Sequence, residues 1–238
     1  VQVVFRRREF EQDPELAREV EDLRQRDIVT GLLNRSTFLH ALEDAVSKVV
    51  HGEDEYSLLL LEPDHYKRLL QEFGLDSADD LIAALAARLN QSLDADATAA
   101  RFGERTFAIL LKGSHARTGE LSERLLASFT SDVISVGQRS AVISISLGGV
   151  QIGEKIATVG QVLTRANDSL QAANALGGNR SEIFDPGAVD RAEEERVQNW
   201  VKLMHDSLEN DGFTLHFQPV VNLQGETGEF YECFMRLE

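Results

Sequence analysis

Apolar residues recur along this chain with two alternating periods, and that alternation predicts its architecture. Phe38, Leu42, Ala45 and Val49 repeat at helical spacing behind a polar start in which Asn34 or Ser36 supplies the cap. Residues 56–61 form a continuous apolar run of strand length, the pattern of a strand buried on both faces. Ser77 opens another helix, with Ile82, Leu85, Leu89 and Leu93 facing inward. Residues 98–102 and 106–111 are two runs at hairpin spacing. Beyond them the pattern predicts a helix near 119–129 and a strand over 142–147, where apolar residues alternate with serine. A helix over about 159–176, stopped by Gly177-Gly178, and a short closing strand over 181–184 complete the series. Strands alternating with helices predict an α/β sandwich, and the tight hairpin makes its sheet mixed rather than all parallel.

The flanks read differently. Residues 1–8 are strand-like. Asp13-Pro14-Glu15 is a helix start, with a capping carboxylate and a proline at the first helical position. Leu16, Val20 and Leu23 then form a narrow seam on a charged helix, about two heptads long, which suits a partner helix better than a broad core. Asp185-Pro186-Gly187 is a candidate boundary. After it, residues 188–209 predict a charged helix with Val197, Val201, Met204 and Leu208 on one side. Residues 213–221 and 229–237 predict a hairpin around the turn Gly225-Glu226-Thr227-Gly228. Two strands are marginal alone, so a second domain is only begun here. The resulting division is residues 1–26 (end of an upstream domain and a linker helix), 27–185 (sandwich), 186–209 (linker helix) and 210–238 (start of the second domain).

Composition narrows the classes of function. The 238 residues carry a formal net charge of −16, which repels nucleic acid and anionic membranes. No apolar run is long enough to span a bilayer, so no membrane insertion is expected. Cys233 is the single cysteine, which excludes an internal disulfide and suits a reducing, cytoplasmic setting. The chain starts without methionine, and its apolar opening precedes Arg6-Arg7-Arg8, the reverse of a signal peptide; a segment of a longer protein is expected. The six histidines show no metal-ligand spacing. Gly148 to Lys155 is glycine-bearing but puts Glu154 where a phosphate loop needs lysine, and is set aside.

Three segments then carry a resemblance. Asp27-Ile28-Val29-Thr30-Gly31-Leu32-Leu33-Asn34-Arg35, Glu62-Pro63-Asp64-His65-Tyr66-Lys67 and Arg101-Phe102-Gly103-Glu104-Arg105-Thr106-Phe107 fall in the order and spacing of a GGDEF (diguanylate cyclase) domain. The resemblance covers about residues 27–184. It implies a three-layer sandwich, a mixed central sheet carrying an antiparallel hairpin and flanked by helices. It also implies Mg²⁺ and GTP as the ligands to consider, since family cyclases join two GTP molecules. That chemistry needs carboxylates to hold metal against phosphate, and glycine where backbone approaches phosphate.

Position by position, the resemblance implies loss of those elements. The first metal-binding aspartate corresponds to Glu62, a residual metal candidate beside Pro63. The turn reads Gly103, Glu104, Arg105, Thr106, Phe107. Glu104 replaces the second glycine and adds negative charge, where one like-charge contact at about 4 Å costs roughly 1–4 kcal/mol. Thr106 replaces the second acidic ligand. Leu70 stands for the guanine-reading asparagine, while its partner aspartate is retained as Asp79; Asp79 and Arg105 are the residual nucleotide-binding candidates. Asn174 and Gly178 stand for a phosphate-binding lysine and arginine. The product-inhibition motif, an arginine and an aspartate three apart, falls on Asp94 and Ala97 and is absent. No catalytic residue is expected. Asp27, Asn34 and Arg35 are expected to fix the helix entry, and Asp64 and Asp79 to be solvated acids at helix starts.

His216-Phe217-Gln218-Pro219-Val220-Val221 and Tyr231-Glu232-Cys233-Phe234-Met235-Arg236 resemble the start of an EAL (cyclic di-GMP phosphodiesterase) domain. This implies Glu232 as a metal ligand, and Gln218, Phe234, Met235 and Arg236 as cyclic di-GMP contacts in the complete EAL domain. Cys233 and Phe234 replace two letters of that motif, which points to ligand binding over hydrolysis. The decayed turn beside a divergent second motif resembles the FimX-type regulators of type IV pili, whose setting suggests a cell pole. The expectation is a catalytically inactive scaffold that couples an upstream module to an EAL domain, with homodimerisation through the linker helices. A GTP sensor without turnover is the alternative, and an active cyclase the third reading.

Overall fold

A computed structural model describes residues 14–153, 155–220 and 230–237. Its contacts divide the chain into two units, Val1–Pro186 and Gly187–Glu238. The first unit begins with helix α1 (Pro14–Gln25) and helix α2 (Arg35–Val50). The predicted strand over 1–8, Asp13 and the Leu16 side chain lie outside what is described. Asn34 rather than Ser36 caps α2, its side chain accepting from the Thr37 amide.

Five strands form the central sheet: β1 (Tyr56–Pro63), β2 (Thr98–Arg101), β3 (Phe107–Lys112), β6 (Ile145–Gln151) and β7 (Arg180–Phe184). Their order is β2-β3-β1-β6-β7. All neighbours are antiparallel except β6 and β7, so the sheet is mixed as the pattern predicts. A separate hairpin, β4 (Ile134–Val136) and β5 (Arg139–Ala141), turns at Gly137.

The apolar run of β1 divides by the two-residue period of a strand. Leu58 and Leu60 face one layer with Phe38 and Leu42 of α2 and with Val162, Ala166 and Leu170 of helix α6 (Val159–Ala175). Leu59 and Leu61 face the other, with Leu69 and Phe73 of helix α3 (Tyr66–Phe73), Leu81 and Leu85 of helix α4 (Ala78–Ser92), and Leu121 and Leu125 of helix α5 (His115–Ser131). Each fully buried leucine contributes about 1.5–3 kcal/mol, so this strand anchors both layers.

The structure corrects several sequence expectations. The short helix α3 was not foreseen, although Tyr66, Leu69, Leu70 and Phe73 have helical spacing; His65, at φ 54, starts it without a side-chain cap. Helix α5 begins at His115, so Gly119 lies inside it. Strand β6 starts at Ile145 and continues through Gly148 and Gly149, not over 142–147. Gly148 sits against α6 so closely that an added Cβ would be 2.0 Å from the Leu170 nitrogen. Helix–sheet contact, not loop flexibility, is what this glycine serves.

The second unit has helix α7 (Ala188–Glu209) and the antiparallel strands β8 (Phe213–Val220) and β9 (Phe230–Leu237). Their predicted connecting turn lies outside the described residues.

Candidate functional site

The site lies where β1 ends beside the β2–β3 turn. Pairing of Leu61 with Phe107 brings Glu62 level with that turn. The turn is closed by the Phe102 and Gly103 amides, which both donate to the Thr106 carbonyl, at 2.8 and 3.0 Å. Phe107 is not part of an open loop: it starts β3 and is fully buried in the core. Glu104 and Arg105 are exposed at the tip.

Glu62 is the centre of the arrangement. The Thr106 hydroxyl donates to its Oε1 at 2.6 Å, and the Arg105 Nε donates to its Oε2 at 3.2 Å. Both carboxylate oxygens are thus held by donors from the turn. The Glu62 side chain is 13% exposed, which keeps this ion pair partly sheltered from solvent. The sequence reading took Glu62 as a residual metal ligand and Thr106 as a weak substitute for another. In the structure they bond to each other, and Arg105 places its charge on that carboxylate. These residues do not fit a two-metal site, because one carboxylate is engaged and no second acid stands on the turn. Among the described residues there is no group of three or more His, Cys, Asp or Glu able to hold a metal ion.

Beside Glu62 opens a cavity of about 480 Å³, whose wall includes His65, Lys67, Arg68, Arg105, Gln171 and Asn174. It gathers Glu62, Arg105 and Asn174, but neither Asp79 nor Leu70 lines it. Asp79 is exposed in the first turn of α4, and Leu70 packs against the core. Burial pushes the Tyr66 phenol up, and the Glu104 and Asp79 carboxylates push it further.

Asp64 overturns its expected role as a solvated acid. Its carboxylate accepts from the Ser144 and Ser146 hydroxyls, both at 2.6 Å, and from the Asn179 amide at 2.9 Å. It therefore ties the end of β1 to the entry of β6 and to the loop after α6. That loop passes so near that a Cβ on Gly178 would be 2.7 Å from Asp64 Oδ1, and Gly178 has φ +73. Glycine there is a requirement of this loop conformation.

The opening motif braces the turn from behind. The Asp27 carboxylate accepts from the Thr30 amide and hydroxyl, at 2.9 and 2.8 Å, and pairs with Arg101 at 3.5 Å. Burial pushes the Asp27 carboxyl up, but the Thr30 bonds and the Arg101 charge together hold it below the usual carboxylate range. The Arg35 guanidinium lies 4.6 Å from the Phe102 ring centroid. Where the product-inhibition motif would fall, Asp94 accepts from Arg124 at 2.8 Å, and Asp96 accepts from Arg117 at 2.7 Å. An aspartate thus draws arginines from α5 where the motif would supply its own arginine.

In the second unit, β8 and β9 pair Gln218 with Glu232, His216 with Phe234 and Thr214 with Arg236. Alternation along a strand puts Gln218, Glu232, Phe234 and Arg236 on one face. Met235 pairs with Leu215 on the opposite face. The expectation that Phe234 and Met235 flank one ligand together is therefore corrected: the pleat separates them.

A five-stranded mixed sheet with helices on both faces, and a β2–β3 turn at the end of its central strand, defines a signalling domain of the nucleotidyl cyclase class. Residues 24–180 match the family described as diguanylate cyclase, GGDEF domain, and the chain belongs to that family. It is 30% identical over 173 residues to the diguanylate cyclase DgcP of Pseudomonas aeruginosa, covering 69% of this chain and 25% of that protein. It is 24% identical over 197 residues to the cyclic di-GMP phosphodiesterase NbdA of the same organism, covering 83% of this chain and 25% of that protein. The chain thus spans a quarter of the length of each of these relatives. Among solved structures, the FimX GGDEF domain from Pseudomonas aeruginosa superimposes with a TM-score of 0.62 at 30% identity, over 68% of this chain and 98% of that one. This is a GGDEF domain of the kind found in cyclic di-GMP signalling proteins. Among the described residues, no helix is long and apolar enough to cross a membrane.

Proposed function

We propose that this GGDEF domain is catalytically inactive and serves as a regulatory and dimerisation scaffold in a cyclic di-GMP signalling protein. The observation that carries the reading is the capture of both Glu62 oxygens by Arg105 and Thr106. An internal guanidinium there does what a bound cation would do for the carboxylate, with no phosphate to follow. Asn174 in the cavity wall and Gly178 at Asp64 supply no positive side chain for a triphosphate.

In this reading the β8–β9 hairpin begins an EAL domain that takes cyclic di-GMP once complete. Gln218, Phe234 and Arg236 share the face that would meet it, with Glu232 as the residual metal position. Helices α1 and α7 connect the domain to its neighbours. Val197, Val201, Met204 and Leu208 of α7 are all substantially exposed, which supports a helix that pairs with a second copy or another domain. The likeness to the FimX GGDEF domain supports a FimX-type role in type IV pilus motility.

A second reading has its own support. The 480 Å³ cavity has Lys67, Arg68 and Arg105 in its wall, a cationic lining suited to GTP binding without turnover. Calorimetric titration with GTP and Mg²⁺, with cyclic di-GMP assayed in the same mixture, separates the cases. The scaffold reading expects neither heat nor product. Saturable heat without product would establish the sensor, and product would overturn both.

A further inference from the structure

The largest cavity in the first unit is not the one beside Glu62. It measures about 750 Å³ and lies between α6 and the β7 end of the sheet. Strand β7 is an edge strand, so α6 and β7 leave a groove that no further strand covers. Gly160, Thr164, Arg165 and Asp168 of α6 form one wall, with Phe184 and Lys155 opposite and beside them. The Arg165 guanidinium lies 5.0 Å from the Phe184 ring centroid, and Phe184 is 39% exposed. The stack holds a planar cation in place at the groove, and a guanidinium so held presents a flat surface to a ligand ring.

The chemistry along this groove is graded. Lys155 and the first turn of α6 make its positive end, where the helix dipole also favours an anion. Arg165 and Phe184 make its flat middle. Asp168 makes an acceptor end, one turn beyond Arg165. The helix rise sets Gly160 and Asp168 about 12 Å apart along the axis, enough for a ring and its phosphate end to end. The Thr164 hydroxyl donates to the Gly160 carbonyl at 2.8 Å, which fixes it as an acceptor towards the groove.

We propose that this groove is a second site, for a purine nucleoside phosphate. The base lies on Arg165, its ring N–H groups donate to Asp168, and the phosphate meets Lys155 and the α6 N-terminus. A guanine fits best, because its N1–H and N2–H edge matches a carboxylate. The site shares no lining residue with the cavity beside Glu62, so it stands whether or not that cavity binds GTP. It adjoins Pro186, the last residue of the first unit, which places a bound ligand at the exit towards α7.

The test is titration of the isotope-labelled chain with GMP, followed by amide shifts. Saturable shifts at Gly160, Gln161 and Thr164, with millimolar or tighter affinity, are expected, weakening at least about tenfold in Arg165→Ala. Arg165 is exposed, so this variant should keep the parent melting temperature. Arg105→Ala should leave the GMP titration unchanged. Sodium phosphate alone should give no comparable saturation; an equal response would reduce the groove to a simple anion site and overturn the proposal. Absence of saturation up to about 10 mM GMP, or shifts confined to residues 62–68, would also overturn it.

Discussion

Asp64→Ala separates a structural staple from a solvated acid. Removing the carboxylate leaves three donors without their acceptor, and they are not equal. The Ser146 hydroxyl is fully buried, Ser144 is half-buried, and the Asn179 amide is exposed. Buried hydrogen bonds to a charged group contribute about 1.5–3 kcal/mol each, and exposed ones less. Taking about 1.5 for Ser146, about 1 for Ser144 and about 0.5 for Asn179 gives a loss of roughly 3 kcal/mol. For a domain of this size each kcal/mol moves the melting temperature by about 2–4 °C, so a fall of about 6–12 °C is expected. The assay is a thermal melt followed by circular dichroism, with Asp79→Ala as the control. Asp79 is exposed in the first turn of α4, and its loss should shift the melt by no more than about 2 °C. Equal, small shifts for both variants would refute the staple.

Three further outcomes are expected. The triple variant Glu104→Gly, Arg105→Asp, Thr106→Glu frees Glu62 and adds acids; it should gain Mg²⁺ binding by calorimetry yet form no cyclic di-GMP from GTP, because Leu70, Asn174 and Gly178 remain. Asp27, with its carboxyl held below the usual range, stabilises the fold above the unfolded value near 3.8 and loses that contribution as pH falls through the lower folded value. Asp27→Asn should therefore flatten the acid limb of stability below about pH 4, while the parent loses stability there. Gly148→Ala drives a methyl into the α6 backbone at Leu170, and a loss of about 3 kcal/mol or more is expected in denaturant melts, since backbone cannot rotate aside.

The fold was legible where hydrophobic period decided it. The run over 56–61, the helix faces of α2, α4 and α6, and the mixed hairpin all follow from burial, which leaves its mark on sequence. The elements that escaped are set by other forces. Helix α3 is only eight residues long and starts from a left-handed histidine. Strand β6 holds two glycines whose purpose, the approach of α6 and of Leu59, appears only once the layers are assembled. At the site, the turn was legible as changed, but its new partner was not. The bond from Thr106 to Glu62 spans residues 44 apart, and no local spacing encodes it. Met235 was misplaced for the opposite reason: the two-residue period of β9 was available and was not applied to the ligand face.

The same geometry explains how such a turn changes without cost to the fold. Arg105 and Glu104 project from a tip whose backbone is closed by the Thr106 carbonyl and braced by Arg101 and Phe102. The core begins one residue later, at Phe107. Substitutions at 104–106 therefore alter charge and ligation while leaving the sheet register untouched. The Glu62 carboxylate is the exception, because it is partly buried and needs a partner once no cation is supplied. Arg105 and Thr106 meet that need, so the substitutions at the turn compensate one another electrostatically. If that is right, Arg105→Ala with Thr106→Val should destabilise the domain more than the two single changes summed, while Glu62→Gln should suppress that excess. Strict additivity in this cycle would show that Glu62 is satisfied by solvent alone, and would remove the physical basis for treating the turn as a self-neutralised site.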